Sequence, residues 1–98
     1  MKKTDIYQRV YLVKPITEAV FALYLAGVCR EITSLYGEKY TVTEGEIPLM
    51  QVYENALVQG ILYCHTGQEA YREAYREAGE SAYRAIWRDN EKKRRKEA

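Results

Sequence analysis

Apolar and small residues recur every three or four positions through the second half of the chain, in a single helical phase. The series is Leu49, Tyr53, Ala56, Gly60, Cys64, Gly67, Tyr71, Ala74, Ala78, Ala82 and Ala85. Because residues three and four apart lie on the same face of a helix, this spacing predicts one long helix, straight or kinked, from Pro48 to about Lys96.

A short stretch within this run predicts the alternative, a break into two helices. Thr66 and Glu69 have the spacing of a capping box, and Gly67 costs about 1 kcal/mol relative to alanine inside a helix. An unbroken helix from Pro48 to Lys96 would be about 70 Å long, whereas a compact domain of this size has a radius of gyration of about 13 Å. The run therefore either folds back near Thr66 into a three-helix bundle, or projects and meets a second copy, most simply in a two-fold dimer.

The first half of the chain contains a further helix, which is predicted to start at Pro15 or Thr17. It should end at Tyr36, with Gly37 as its stop. Its middle, Ala19–Cys29, has no charged residue on any side, and a helix that is apolar all round is buried all round. We therefore expect the N-terminal segment, a third helix or a second copy of the chain to cover its far side.

The N-terminal segment is open to two interpretations. Its Val, Ile and Tyr content favours a short strand, although Ile6, Val10 and Val13 also have helical spacing. Tyr40–Thr43 has similar strand character, so it could pair with Tyr7–Val13 as a small two-stranded patch.

These patterns together predict a mainly α fold, either a helical hairpin or a three-helix bundle with a long C-terminal helix, and the two-stranded patch is an option. The chain has 98 residues, which is the length of a single domain. It contains ten tyrosines against one Phe and one Trp. A tyrosine ring is apolar, but its hydroxyl needs a hydrogen-bond partner. So many tyrosines therefore indicate helix interfaces or binding faces that are partly exposed to water.

The charges nearly balance, at fifteen basic against fourteen acidic residues, but they are unevenly distributed. Residues 92–96 form a basic tail; subtracting those five cations and Glu97 leaves ten basic and thirteen acidic residues, a body of net charge −3. An acidic body disfavours a general nucleic-acid-binding protein. The tail is typical of a solvated helix end, where cations suit the helix dipole, and it could also contact phosphate.

The residues that carry chemistry do not form a recognisable site in the sequence. Cys64 and His65 are neighbours, and neighbours on a helix point about 100° apart, which is unsuitable for a catalytic pair. Together with Cys29 they could supply three metal ligands, but without the spacing of a zinc site. The glycines form no phosphate loop. The sequence therefore predicts a protein that is not an enzyme and that holds no metal or cofactor.

The sequence also favours a cytoplasmic protein without membrane contact. Cys29 and Cys64 lie in apolar helical contexts and are typical of reduced core cysteines. Asp5 interrupts the start of the chain, which predicts that there is no signal peptide. The most apolar run, Ala19–Cys29, has eleven residues, whereas a membrane span needs about 20.

One face of the C-terminal run is the candidate binding surface. Arg72, Arg76, Tyr83 and Trp87 fall on one arc of the predicted helix, next to Tyr75. Trp, Tyr and Arg dominate the hot spots of protein interfaces, so this arc predicts partner binding. The alternative is that the arginines are solvated and that the Tyr83 and Trp87 rings pack against the N-terminal half.

A set of cations near the arc suggests a second type of ligand. Candidate phosphate contacts are Arg84, Arg88, Lys92, Lys93, Arg94 and Arg95. Tyrosine rings can stack on bases while arginines meet phosphate, so a nucleic acid or nucleotide is the alternative ligand of the same face.

The favoured function is thus a small non-enzymatic protein-binding module, that is, an inhibitor, an adaptor or a regulator, which also forms a dimer. In length, composition and lack of an enzymatic motif, the chain resembles inhibitors of bacterial defence encoded by phages and mobile elements, anti-CRISPR proteins among them. That resemblance implies a protein partner. The remaining alternative is a purely structural homo-oligomer whose tyrosines are buried between subunits.

Overall fold

The computed structural model describes residues 2–36 and 51–97, and these residues fold as helices. Their bounds are α1 Lys3–Val13, α2 Glu18–Tyr36, a short 3₁₀ turn at Gln51–Tyr53, α3 Glu54–Thr66 and α4 Glu69–Glu97. The prediction of a mainly α helical bundle is confirmed. Pro48, Gly37 and the Tyr40–Thr43 segment lie outside the described residues.

Helix α3 is the centre of the bundle, and the other helices pack around it. It is buried on almost every side, through Ala56, Leu57, Val58, Gly60, Ile61 and Leu62. Helix α1 contributes Ile6 and Val10 to the same core, and α4 contributes Ala82. The most completely buried helix is therefore α3 and not α2.

Within one chain, α2 is not buried all round; cover of its other side by a second copy stays a prediction. Its core face consists of Phe21, Leu25, Val28, Cys29 and Ile32. Leu23, on the other side, is 70% exposed, and Ala19, Ala22 and Gly27 are exposed as well. Because α3 takes the central position, α2 packs only one face. By length and composition, α2 is apolar enough to cross a membrane.

The start of α2 follows the sequence prediction closely. The Thr17 hydroxyl accepts a hydrogen bond from the Val20 N–H at 3.3 Å, and the Thr17 carbonyl accepts one from the Phe21 N–H at 2.9 Å. Thr17 is thus the N-cap of the helix.

The strand predicted over Tyr7–Val13 was wrong, because this segment is helical. Ile6 and Val10 are both fully buried, whereas Gln8 between them is exposed; a strand would place all three on one face, and a helix does not. Packing against α3 therefore overrides the strand preference of the β-branched residues. Lys14, in extended geometry before Pro15, ends the helix.

The unbroken helix was also wrong, and the alternative break is observed. Gly67 has a φ of 70°, in the left-handed region that favours glycine, and its N–H donates to the Tyr63 carbonyl at 2.7 Å. The capping box differs from the prediction, because the Thr66 hydroxyl accepts from the Gln68 N–H at 3.3 Å. This turn folds α4 back along α3, as in the predicted three-helix bundle.

Helix α4 is longer than the bundle that it packs against. Its 29 residues span about 43 Å, and the structure measures 50 × 31 × 21 Å. Ile86 is the last residue of α4 that packs against the core. Beyond it, the described side chains at 87–89 and 91–95 are all exposed. We call residues 87–97 the distal segment.

Candidate protein interface on helix α4

The predicted arc on α4 is divided into two parts by Tyr36. The Tyr36 ring lies against Gly79, where an added Cβ would be 2.6 Å from the Tyr36 hydroxyl oxygen. Arg72 and Arg76 lie on the bundle side of this contact and line a groove, whereas Tyr83 and Trp87 lie on the other side. The structure therefore does not bring the four residues into one surface.

The groove lies between α2, α3 and α4 and has a volume of about 850 Å³. Its floor is closely packed, because a Cβ at Gly60 would be 2.8 Å from Val28 Cγ1 and 3.1 Å from Tyr75 Cδ1. Glu31 and Cys64 also line it. Glu69 and Glu73 stand beside the two arginines at its rim, and Arg72 pairs with Glu69 at 3.4 Å. Acidic and basic groups thus share the rim.

Tyr75, a predicted partner-binding residue, belongs to the floor of the groove. Its hydroxyl oxygen is buried, and the Glu31 carboxylate is near enough to interact with it, although no contact among the described residues meets the distance and angle of a hydrogen bond. Burial first, and then the nearby Glu31 carboxylate, raise the pKa of Tyr75 well above its ordinary value. The hydroxyl is therefore neutral and enclosed, and its ring acts as a packing surface for Gly60.

The groove holds a thiol, but not an activated one. Cys64 is exposed and not a core residue as expected, whereas Cys29 is buried. Partial burial in the groove and then Glu31 raise the pKa of the Cys64 thiol, which lowers the fraction of the nucleophilic thiolate. His65 Nε2 lies 2.9 Å from the Pro15 carbonyl oxygen and donates to it, so this ring ties α3 to the α1–α2 connection. Within residues 2–36 and 51–97, no three His, Cys, Asp or Glu side chains are grouped to hold a metal ion.

Tyr83 and Trp87 lie side by side on α4 but differ in their contacts. The Tyr83 ring lies 5.4 Å from the Tyr36 ring, which in turn stacks on Tyr53 at 5.7 Å. Tyr83 is nevertheless 43% exposed, and Trp87 is 56% exposed. In the alternative prediction, both rings pack against the N-terminal half. One side of the Tyr83 ring does so, through Tyr36, but the Trp87 ring is mostly exposed.

The two aromatic rings and their charged neighbours form a shallow hollow of about 370 Å³. Its other lining residues are Arg84, Arg88 and Glu91. Arg84 pairs with Glu80 at 3.6 Å on the same helix. We call Tyr83, Arg84, Trp87 and Arg88 the distal face.

The candidate phosphate contacts all lie on this end of the molecule. Arg84, Arg88, Lys92, Lys93, Arg94 and Arg95 are exposed along the outer part of α4. Residues 84–97 hold seven basic and three acidic residues, a net charge of +4, whereas residues 1–83 hold eight basic and eleven acidic ones, a net charge of −3. The chain is therefore electrically polarised along α4.

A second exposed apolar patch lies at the end of α1, and sequence reasoning missed it because a strand was expected there. Leu12 is 85% exposed, and Tyr11 and Val13 are about half exposed. No charged side chain lines the hollow beside Tyr11 and Leu12. It lacks the arginines and the tryptophan that distinguish the distal face.

Comparison of the chain with protein-family models, with curated proteins and with solved structures finds no match.

Proposed function

We propose that this chain is a non-enzymatic protein-binding module, an inhibitor, adaptor or regulator, and that it binds its partner through the distal face of α4. The observation that carries the proposal is the exposure of Trp87, the single tryptophan of the chain, just beyond the last core contact of its helix. Burial of apolar surface is favourable by about 25 cal/mol per Å², so a partner that covered the exposed Trp87 ring would gain this free energy. A role against bacterial defence stays a prediction from length and composition.

The neighbours of Trp87 support a protein partner. One side of the Tyr83 ring packs against Tyr36 and the other side is exposed. Because the ring is already held in place, the Tyr83 side chain should lose little conformational freedom on binding. Arg84 and Arg88 flank the rings with guanidinium groups, which stack on aromatic side chains and pair with carboxylates. Rigid aromatic residues with arginines at the edge are the composition of interface hot spots.

Site-specific photo-crosslinking in the native cell tests the proposal. A benzophenone amino acid replaces Trp87 in one variant and Ala85 in a matched control. Ala85 is exposed on the same helix but lies about 160° around it. We expect a discrete protein adduct, of this chain or of another, at position 87 and not at position 85. Equal adducts at both positions, or none at position 87, would contradict the proposal.

The charge distribution favours a polyanion as a second candidate partner. Arg84, Arg88, Lys92 and Arg95 are exposed and lie on one side of α4 at helical spacing. If four such contacts were made to single-stranded nucleic acid, affinity would fall about 50-fold between 50 mM and 200 mM salt. Titration of a labelled oligonucleotide measures this dependence; absence of binding at about 50 mM salt would remove the candidate.

A further inference from the structure

Helix α4 carries a second pattern, which shares Arg84 and Trp87 with the distal face and has the seven-residue spacing of paired helices. Its members are exposed residues at intervals of four, three, four and three positions: Glu80, Arg84, Trp87, Glu91 and Arg94. We call this set the distal stripe. Trp87 is at its centre, seven residues from either end.

The charges of the distal stripe are antisymmetric about Trp87. In chain order they are negative, positive, Trp, negative and positive; in reverse order every negative position becomes positive and every positive one negative. A helix with this pattern is complementary to a second copy of itself that runs in the opposite direction. A parallel copy would place like charges opposite each other, which is unfavourable.

We propose that two copies of the chain pair in antiparallel fashion along the distal stripe, with the two Trp87 rings in contact at the two-fold axis. The proposal rests on the proposed function and names a second copy as the partner of this part of α4. Glu80 then lies level with the partner's Arg94, and Arg84 lies one residue, about 1.5 Å, from the level of the partner's Glu91, within reach of the long arginine side chain. Two-fold symmetry repeats each of these pairs, so all four charges of the stripe are matched in both chains.

The shape and the overall charge of the chain are compatible with this pairing. The overlap from Glu80 to Arg94 is about 21 Å long. Its outer part lies in the distal segment, where the described side chains are exposed and a second helix can approach. The same arrangement brings residues 91–97 of each chain, with five basic and two acidic residues, beside residues 77–83 of its partner, which hold two acidic residues and no basic one. A short interface of this kind belongs to the small class, so the dimer should be weak and reversible.

Other occupants match the stripe less well. Glu80 and Glu91 would repel a nucleic acid, whose contacts would lie instead on the neighbouring cations. Four charges and one aromatic ring are also unsuited to a lipid surface, which requires a continuous apolar face. An antiparallel second copy, in contrast, would place an opposite charge near every charged residue of the stripe.

Charge exchange along the stripe tests the pairing. One variant carries Glu80→Arg and Glu91→Arg, so that all four charged positions are positive. The other carries Arg84→Glu and Arg94→Glu, so that all four are negative. The matched control carries Glu73→Arg and Glu77→Arg, which make the same charge change as the first variant on the same helix but outside the overlap.

Sedimentation velocity over a range of micromolar concentrations provides the measurement, and circular dichroism checks that each variant stays helical. We expect the wild-type chain and the control to form a reversible dimer. Each exchanged variant alone should self-associate at least about tenfold more weakly, and an equimolar mixture of the two should recover a dimer. Recovery in the mixture cannot arise from damage to the fold.

Two results would overturn the pairing. A wild-type chain that stays monomeric throughout would show that a second copy is not the partner; a different protein crosslinked at position 87 would then leave the proposed function intact. Exchanged variants that dimerise as strongly as the wild type would show that the copies meet elsewhere. Failure of the proposed function itself would be recognised separately, by the absence of an adduct at position 87.

Discussion

Two glycines in helices have opposite surroundings, and this difference allows a prediction for single residues. Gly60 lies in α3 against Val28 and Tyr75, and a Cβ there would overlap them. Gly27 lies in α2 with no heavy atom within 4 Å of the position of a Cβ. The same substitution should therefore have effects of opposite sign at the two positions.

We expect Gly60→Ala to lower the free energy of unfolding by about 1–3 kcal/mol, because overpacking outweighs the gain in helix propensity. Gly27→Ala, the matched control, should raise it by up to about 1 kcal/mol. Urea unfolding followed by circular dichroism measures both. Equal effects at the two glycines would show that the groove floor is not packed as described.

Tyr75 predicts a pH dependence of stability. Its pKa is raised in the folded state by burial and by Glu31, so above about pH 10 the unfolded chain loses a proton that the folded chain keeps. This contribution to the free energy of unfolding is constant below pH 10 and falls as the pH rises further. Tyr75→Phe should therefore show a shallower alkaline loss of stability than the wild type.

The same substitution should be neutral or stabilising by about 1 kcal/mol at pH 7, because it removes a buried hydroxyl that has no hydrogen bond among the described residues. Urea unfolding at intervals between about pH 7 and pH 11 measures both effects. Tyr11→Phe, which removes a half-exposed hydroxyl, is the control. A loss of more than about 1 kcal/mol in Tyr75→Phe at pH 7 would show that the hydroxyl is bonded after all.

At the scale of the helix, the break between α3 and α4 depends on the left-handed geometry of Gly67. We expect Gly67→Ala to lower the free energy of unfolding by about 1–2 kcal/mol, since alanine is strained at this φ. Gly67→Asn should cost less, because asparagine tolerates this region better. Thermal and urea unfolding measure the difference; an alanine variant as stable as the wild type would favour an unbroken run instead.

The position of α2, and the Gly67 break as the alternative to an unbroken helix, were readable from the sequence, because each depends on local spacing or on one residue's backbone preference. The state of α1 was not. Its β-branched residues favour a strand locally, and only burial of Ile6 and Val10 against α3 decides for a helix. The exposure of one face of α2 was equally hidden, since it depends on which helix occupies the centre.

At the scale of the whole molecule, helical spacing predicted the arc on α4 but not its division into two parts. Helical spacing alone places Arg72, Arg76, Tyr83 and Trp87 on one arc. Their separation results from the packing of Tyr36 over Gly79, a contact between distant parts of the chain that spacing does not reveal. The antisymmetric order of charges along the distal stripe is visible in the sequence, but it indicates an interface only because the structure shows these residues to be exposed.

The distal face should contribute to binding and not to folding. Trp87 is more than half exposed beyond the last core residue of α4, so Trp87→Ala should change the free energy of unfolding by less than about 0.5 kcal/mol. Ile86→Ala, its neighbour on the core side, should cost clearly more. Urea unfolding in dilute solution compares them, and a loss for Trp87→Ala equal to that for Ile86→Ala would place Trp87 in the fold.

The most direct test of this account is acrylamide quenching of the single tryptophan. In dilute solution, where the chain is alone, we expect the fluorescence of Trp87 to be quenched readily, as for a half-exposed indole. Addition of the partner, or of more of the chain itself, should shield it and shift its emission to shorter wavelength. Trp87 already shielded in the dilute chain would mean that the distal face is covered within the molecule, and this would contradict its role as an interface.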